Sequence, residues 1–382
     1  MDTWVYFDNN ATTQPLPEVV DAMQPFLRDV FANPSSVHTF GQSVRHRVEC
    51  AREQVARLLG AGPKEIVFTS GGTESINLAI RGTVAADPTR RKIVTTAVEH
   101  PAVLAVADDL ARSGYTIDRV GVDRAGRLDE ASLERKLTAD TALLSIIHAN
   151  NETGVMFDVA RLAALATDRG IPVHVDAVQS AGKVPIDVAS WPVQLVSLAA
   201  HKFHGPKGAG ALYVRRRTRL MPLIIGGGQE RDRRGGTENV AAIVGMGVAA
   251  AAAARDMATT RGFVRGLRDT LEAGVCERIS YASVVGDGAD RIDNTCNIAF
   301  EGLEAEAILI LLSQAGICAS SGAACSSGSL EPSHVLAAMG IPQRVAHGAI
   351  RFSVSRFNTR EEVDRVVDIM PELLSRLTVL SR

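Results

Sequence analysis

The clearest structural signal in this sequence is a pair of segments, Val173-His-Val-Asp-Ala-Val-Gln179 and, farther along, Leu195-Val-Ser-Leu-Ala-Ala-His-Lys202. Each is a short, mainly apolar run that ends in polar side chains, as strands buried inside a parallel sheet do. Similar runs alternate with helical patterns from residue 16 to residue 255, at 65–69, 92–97, 115–120, 142–148, 173–178, 195–199 and 210–214. This alternation predicts an α/β fold with a mainly parallel seven-stranded sheet between helices.

The sequence pattern changes after an Ala-rich segment at 240–254, which predicts a tightly packed helix. A second long helix is expected at 256–271, followed by strands at 297–300 and 350–354 and helices at 304–315 and 359–377. We therefore predict a large α/β domain over residues 16–255. Residues 1–15 together with 256–382 are predicted to form a smaller α+β domain that carries a Ser/Gly-rich loop at about 319–330.

Composition excludes several classes of protein. The 382 residues are 46% hydrophobic and 22% charged, with a net charge of −2, so no basic surface for nucleic acid or anionic membranes is expected. The longest uncharged apolar stretch, at 240–254, is shorter than the roughly 20 residues of a membrane span. No signal peptide is visible, so we expect a cytoplasmic protein. Five cysteines without a C-x-x-C pair argue against a disulfide framework and a zinc site.

A candidate phosphate site lies in the segment Ile66-Val-Phe-Thr-Ser-Gly-Gly-Thr-Glu-Ser75, which reads strand, glycine turn, helix. Gly71 and Gly72 allow a tight turn and close approach of a ligand, and Thr73 adds a donor to the N–H groups of the helix. An ordinary capped turn is the alternative. Because the P-loop and dinucleotide glycine patterns are missing, a phosphate ligand that is neither a dinucleotide nor a triphosphate is favoured.

Three further polar side chains lie in or directly after predicted strands, near the edge where the ligands of open α/β sheets bind. Asp176 is inside the predicted strand 173–178, whereas His100, just before a proline, and Lys202 each follow a strand. A partly buried lysine is suited to forming a Schiff base, and a buried carboxylate needs a cationic partner such as a protonated ring nitrogen. Lys207 is a competing lysine, but Pro206 and Gly208 place it in a turn. Together with the phosphate site, these residues predict a pyridoxal phosphate (PLP) enzyme.

Two more features concern the reaction. Cys325 lies among small residues in Ala319-Ser-Ser-Gly-Ala-Ala-Cys-Ser-Ser-Gly-Ser329, a setting that favours an exposed nucleophile over a core residue. Arg351 opens an apolar strand and has a guanidinium group that can bind a carboxylate at two points. A surface salt bridge is the alternative for Arg351.

With these residues assembled, the chain resembles the cysteine desulfurases of the NifS/IscS type, which are class V aminotransferase-like PLP enzymes of fold type I. The sequence near Gln229 and Arg233 resembles the nitrogen-fixation branch, NifS, more than the housekeeping branch. The resemblance extends over nearly the whole chain and is carried by residues 7–13, 33–36, 72–75, 99–101, 149–154, 174–177, 201–207, 234–237 and 319–333.

The resemblance implies a role for each candidate residue. Lys202 would hold PLP as a Schiff base and remove the substrate α-proton, His100 would stack on the ring and move protons, and Cys325 would accept the sulfur. The other residues implied to bind cofactor or substrate are Gly72 and Thr73 with His201 (phosphate), Asp176 (ring nitrogen), Gln179 (phenolic oxygen), Thr237 (phosphate, from the other subunit of a homodimer), and Asn151 and Arg351 (substrate carboxylate; Asn151 also cofactor). One departure is Ala199, where many relatives have a polar residue that binds the phosphate.

The implied reaction removes sulfur from L-cysteine, giving L-alanine and a persulfide on Cys325. The implied acceptor is an iron–sulfur scaffold protein of the NifU or IscU kind, and the implied context is cluster assembly, including that for nitrogenase. No resident metal is expected; the only metal contact would be a transient one between the Cys325 persulfide and an iron–sulfur cluster. The alternatives are a selenocysteine lyase, an aminotransferase, or a non-enzymatic iron–sulfur scaffold that uses Cys318 and Cys325.

Overall fold

The computed structural model describes residues 4–321 and 333–380. Helices and strands alternate along most of the chain, as the sequence predicts. The strands are β1 (Val5–Tyr6), β2 (Ile66–Thr69), β3 (Lys92–Thr96), β4 (Thr116–Val120), β5 (Thr141–Ile147), β6 (Val173–Asp176), β7 (Leu195–Ala199), β8 (Gly210–Val214), β9 (Ala282–Val284), β10 (Thr295–Phe300), β11 (Ile317–Cys318) and β12 (Ala349–Ser353). The helices are α1 (Pro17–Arg28), α2 (Thr39–Leu59), α3 (Gly72–Ala86), α4 (Pro101–Arg112), α5 (Glu130–Lys136), α6 (Val159–Thr167), α7 (Val240–Arg278), α8 (Ala305–Gln314), α9 (His334–Ala338), α10 (Gln343–Ala346) and α11 (Arg360–Leu380).

The central sheet has seven strands in the order β2-β8-β7-β6-β5-β3-β4. Strands β4, β3, β5, β6 and β7 pair in parallel, while β8 is antiparallel to both of its neighbours. The predicted seven-stranded, mainly parallel α/β sheet is therefore confirmed. Because β3, β5, β6 and β7 run the same way, the segments that follow them meet at one edge of the sheet.

A second hydrophobic cluster lies around the three-stranded antiparallel sheet β12-β10-β9 and helices α8 and α11. Helix α7 links it to the main cluster, since Ala242 and Ala253 pack in the main cluster whereas Val264 and Val275 pack in the second. The two helices expected at 240–254 and 256–271 are thus one continuous helix, a correction to the sequence-based prediction. The predicted domain boundary at residue 255 falls inside it, and the division into domains stays a prediction.

Helix α7 is also the one helix among the described residues that is long and apolar enough, by length and composition, to cross a membrane. Of its most apolar window, 61% is buried inside the protein. Its small residues explain the burial, because a Cβ at Gly247 would lie 2.6 Å from the Cα of Ala51 in α2. We therefore interpret α7 as a core helix packed closely on its neighbours.

The N-terminal segment after β1 crosses from the small sheet to the carboxyl edge of the large one. The Asn10 N–H donates to Ser353 Oγ in β12 at 2.9 Å, and the Thr13 N–H donates to the carbonyl oxygen of His201 after β7 at 2.9 Å. These bonds fix residues 8–13 directly over the edge where the predicted site residues lie.

Candidate active site

One cavity of about 210 Å³ opens at the carboxyl edge of the central sheet. Most of the residues predicted from the sequence line it: Gly72, Thr73, His100, Asn151, Asp176, Gln179, His201 and Lys202. They come from the segments after β2, β3, β5, β6 and β7. The fold thus brings together residues that are far apart in sequence, while their individual roles remain predictions.

Lys202 lies in a single 3₁₀ turn, Ala200–Lys202, that directly follows β7. Its Nζ donates to the carbonyl oxygens of Asn10 at 2.6 Å and Ala11 at 3.0 Å. The N-terminal segment therefore holds the amine at the cavity wall. The competing lysine, Lys207, is exposed and is not part of this wall.

Asp176 ends β6 with only 3% of its surface exposed. Its Oδ1 accepts a hydrogen bond from the Val178 N–H at 2.9 Å. Burial raises the pKa of this carboxyl to about 6, and the nearby charge of Lys202 opposes that shift. A desolvated carboxyl on a cavity wall favours a ligand that brings a cationic N–H group to it.

The phosphate candidate is the N-terminus of α3, a helix of 15 residues. Its N-cap is Gly71, which has no side chain to occupy the first-turn N–H groups. Gly72 faces the cavity next to Val178, and a Cβ at residue 72 would lie 2.8 Å from Val178 Cγ2, so only glycine fits without movement. Free N–H groups, the Thr73 hydroxyl and His201 together make a site suited to an anion. Ala199 also lines this cavity.

His100 is the N-cap of α4, and its Nδ1 accepts a hydrogen bond from the Ala102 N–H at 3.1 Å. Burial above all, followed by the charges of Lys202 and His334, lowers the pKa of this imidazole to about 4. The ring is therefore neutral near pH 7. Since Nδ1 accepts, the ring proton is on Nε2.

Glu99, beside His100, is a fully buried carboxyl that sequence reasoning did not single out as a separate site residue. Its Oε1 accepts from Thr96 Oγ1 at 2.7 Å and from the Ile147 N–H at 2.9 Å. Its Oε2 is buried without a hydrogen-bond partner among the described residues. Burial above all, with a contribution from Asp176, raises the pKa of Glu99 to about 8.

The pKa of Glu99 predicts a pH-dependent stability. The pKa of Glu99 is higher in the folded protein than its unfolded value of 4.5. The contribution of Glu99 to the free energy of unfolding is therefore fully present below pH 4.5 and is lost as the pH rises through 8. Glu99→Gln keeps a neutral side chain at every pH. From pH 4.5 to 8, the free energy of unfolding of the variant should gain on the order of 3 kcal/mol relative to wild type, measured by urea unfolding. Parallel pH curves for Glu99→Gln and wild type would contradict this account, and the exposed Glu277→Gln is the matched control.

Arg351, in β12, is 3% exposed and is not the surface salt bridge considered as an alternative. Its guanidinium donates to the carbonyl oxygen of Asn151 at 3.0 Å and to Asp8 Oδ1 at 2.7 Å. Its Nε is buried without a partner among the described residues. The guanidinium group is thus fixed next to Asn151, which lines the cavity, and its Nε is left over as a donor for a further acceptor.

Three residues of this neighbourhood were missed as functional candidates: Asp8, Asn10 and Lys183. Asp8 and Asn10 belong to the run 7–13 that carries the family resemblance, but neither had a role. Lys183 had no predicted role, since Gly182-Lys183 is followed by Val184 and not by the Ser or Thr of a P-loop. Their contacts join residues up to 343 positions apart, so no local sequence pattern could reveal them.

Three predicted residues are not among those that line the cavity: Arg351, which lies beside Asn151, Thr237 and Cys325. Thr237 is exposed and does not line the cavity of its own chain; its predicted role is in a second subunit. It follows a strained turn in which Glu230, at φ 48°, is held by Arg52 at 2.7 and 2.8 Å. Cys325, with the rest of residues 322–332, lies outside the described residues.

Comparison with known proteins identifies the family. The sequence pattern of the family described as "Aminotransferase class-V" matches residues 5–366. The chain therefore belongs to the class-V aminotransferases. It is 52% identical to the cysteine desulfurase NifS of Azotobacter vinelandii, over 99% of this chain and 94% of that protein. It is 53% identical to a cysteine desulfurase of Gluconacetobacter diazotrophicus, over 99% of this chain and 95% of that one. Within the class, the chain belongs with the cysteine desulfurases of the NifS type, as the sequence resemblance predicted.

Solved structures agree with this placement. A NifS-like protein superposes with a TM-score of 0.92 at 38% identity, covering 98% of this chain and all of that one. A protein described as SspA in complex with cysteine superposes with a TM-score of 0.80 at 33% identity, covering 94% of this chain and all of that one. The predicted fold type I architecture is thereby confirmed.

Proposed function

We propose that this protein is a PLP-dependent cysteine desulfurase, which converts L-cysteine to L-alanine and leaves a persulfide on Cys325. The observation that carries the proposal is the single cavity lined by Lys202, Asp176, His100 and the N-terminus of α3. Family membership and the similarity to a protein in complex with cysteine support cysteine as the substrate.

The residues of the cavity fit PLP on chemical grounds. The desolvated Asp176 suits a protonated pyridine nitrogen, and the glycine-limited α3 terminus suits a phosphate. Gln179 lines the wall between them and offers an amide to the ring oxygen. When bound, PLP supplies an electron sink for the electron pair left by removal of the substrate α-proton.

The residues of this chain have distinct tasks in the reaction. Lys202 would hold the cofactor, and its amine would be the base that takes the substrate α-proton. Asn151 and Arg351 bind the substrate carboxylate, with Arg351 kept in position by Asp8. His100 offers the proton on Nε2 to the reacting groups.

Sulfur transfer is assigned to Cys325. Its thiolate attacks the substrate sulfur, so that an S–S bond forms and the C–S bond breaks. The electron pair of the C–S bond stays with the carbon skeleton, which is then protonated to give alanine. The described residues on either side of residues 322–332 support this assignment. The Ser320 N–H donates to the Arg351 carbonyl oxygen at 3.2 Å, and Ser333 Oγ donates to Glu152 Oε2 at 2.5 Å. Both flanks of the segment with Cys325 are thus anchored beside the cavity.

Asp176→Asn is expected to lower kcat on the order of 10²-fold, because a neutral amide no longer keeps the ring nitrogen protonated. The amide is close in shape to the carboxyl, so PLP binding should persist. The measurement is alanine production at saturating cysteine, with bound PLP measured by absorbance. The exposed Asp21→Asn is the control, and wild-type turnover by Asp176→Asn would exclude this role.

The wider context is proposed from the family. A homodimer would bring Thr237 of one chain to the phosphate of the other, and an iron–sulfur scaffold of the NifU or IscU kind would accept the sulfur for cluster assembly, including that for nitrogenase. The test of the function itself is incubation of the PLP-loaded protein with L-cysteine and a thiol reductant. We expect equal amounts of alanine and sulfide. Activity with selenocysteine but not with cysteine would instead indicate a selenocysteine lyase. Formation of pyruvate from alanine would indicate an aminotransferase.

A further inference from the structure

Lys183 lies one helical turn after Gln179 in sequence and directly behind it in the structure. Its Nζ donates to Gln179 Oε1 at 3.0 Å and to Asn10 Oδ1 at 3.3 Å. The lysine is partly buried and lines a separate, mainly apolar cavity on the far side of Lys202. Lys183 therefore contacts the active-site residue Gln179 without itself lining the cofactor cavity.

The hydrogen bonds around Gln179 fix the orientation of its amide, that is, the positions of the amide oxygen and the amide nitrogen. The amide Nε2 donates to the carbonyl oxygen of Asn10 at 2.9 Å, an atom that can only accept, while Oε1 faces the Lys183 amine. If the amide were turned over, its oxygen would face the Asn10 carbonyl and its N–H group would face an ammonium. Gln179 lines the cofactor cavity, and in this orientation its oxygen is occupied by Lys183 while the second N–H of its amide remains available to an acceptor.

Asn10 connects this arrangement to Lys202. The carbonyl oxygen that binds Gln179 Nε2 also accepts from Lys202 Nζ at 2.6 Å. The Asn10 side chain is held in turn by Asn294 at 3.0 Å and Thr295 at 2.8 Å. Lys183, Gln179 and Lys202 thus all donate hydrogen bonds to one residue, which is only 2% exposed.

We propose that Lys183 is a positioning residue for the cofactor: it holds Gln179 so that an amide N–H, and not the amide oxygen, faces the phenolic oxygen of PLP. The inference rests on the proposed function, since it concerns the group that Lys202 would bind. An N–H at the phenolic oxygen stabilises its negative charge and competes with the proton of the Schiff base that Lys202 forms. It therefore lowers the pKa of that Schiff base.

The electrostatic surroundings are consistent with this role. Burial, followed by the charges of Lys202 and Arg351, lowers the pKa of Lys183 to about 7. The amine donates hydrogen bonds in either protonation state, so the orientation of Gln179 persists across neutral pH. The titratable and charged groups that interact with Lys183 or Lys202 are His100, Asp176, His201, His204 and Arg351.

The test is a pH titration of the visible absorbance of the PLP-loaded protein, without substrate. Lys183→Met should raise the pKa of the Schiff base by about one unit, because Gln179 loses one of the two hydrogen bonds that orient its amide. The exposed Lys64→Met is the matched control and should titrate as wild type. Gln179→Leu should give the same upward shift, and Lys183→Met should add nothing to it in the double variant.

Each outcome decides the question. A folded Lys183→Met with the wild-type pKa overturns the inference, as does a full shift by Lys183→Met in the Gln179→Leu background, which would mean that the charge acts without Gln179. If Lys183→Met does not fold, Gln179→Leu alone decides, since an unchanged pKa there excludes an N–H at the phenolic oxygen. A wild-type protein that forms no coloured Schiff base would instead refute the proposed function.

Discussion

Lys202→Ala is expected to lower cysteine turnover by at least about 10³-fold, because the variant loses both the amine that attaches the cofactor and the base that removes the α-proton. The amine stands at the cavity wall, fixed by the carbonyl oxygens of Asn10 and Ala11. No neighbouring amine can replace it from the front of the cavity, since Lys183 donates to Gln179 and Asn10 behind the wall. Alanine formation under saturating cysteine is the measurement.

The competing lysine provides the control. Lys207→Ala removes an exposed amine outside the cavity and should leave both turnover and colour unchanged. Reduction of the PLP-loaded protein with borohydride, followed by peptide mass analysis, should attach the cofactor at Lys202 in wild type and in Lys207→Ala. Attachment at another lysine, or full activity of Lys202→Ala, would refute the assignment.

Cys325→Ser is expected to lower desulfuration on the order of 10³-fold while leaving PLP binding unchanged. A serine hydroxyl is not ionised near neutral pH and does not attack sulfur, whereas a thiolate does. Sulfide and alanine released from L-cysteine are measured together with the absorbance of the bound cofactor. Sulfide release at the wild-type rate would show that another group accepts the sulfur.

Cys318 is the matched control because it is the described cysteine nearest in sequence to Cys325. It lies in β11, where Phe7 donates to its carbonyl oxygen at 2.9 Å. Burial and the charge of Asp8 raise the pKa of the Cys318 thiol, which makes it a poor nucleophile. Cys318→Ala should therefore keep its persulfide on Cys325 and its activity near wild type.

Much of the fold could be predicted from the sequence because its strands are short Val-rich runs with polar ends. Leu195–Ala199 and Gly210–Val214 match the predicted bounds, and the other central strands differ by one or two residues at their ends. The continuity of α7 could not be predicted, since Arg255 and Asp256 interrupt the apolar pattern. In the structure Arg255 is exposed and pairs with Glu18, so these charges lie on the outer face of an unbroken helix.

The candidate site, like the fold, could be predicted only in part from the sequence. His100 and Lys202 could be predicted because each follows a strand of a parallel sheet, where ligands bind, and Asp176 because a carboxylate inside an apolar strand needs a partner. The residues that position the site could not be predicted, because they contact it only after the fold brings distant parts of the sequence together. Asn10 reaches Lys202 across 192 residues and Asp8 reaches Arg351 across 343. Such contacts depend on the path of the N-terminal segment between the two sheets.

The most direct test of sulfur transfer to Cys325 is mass analysis of the peptide that contains this residue after the PLP-loaded protein reacts with a limited amount of L-cysteine and no reductant. The account predicts a gain of one sulfur atom on that peptide and one alanine released for each sulfur gained. Alanine without added sulfur on Cys325, or neither product, would contradict it.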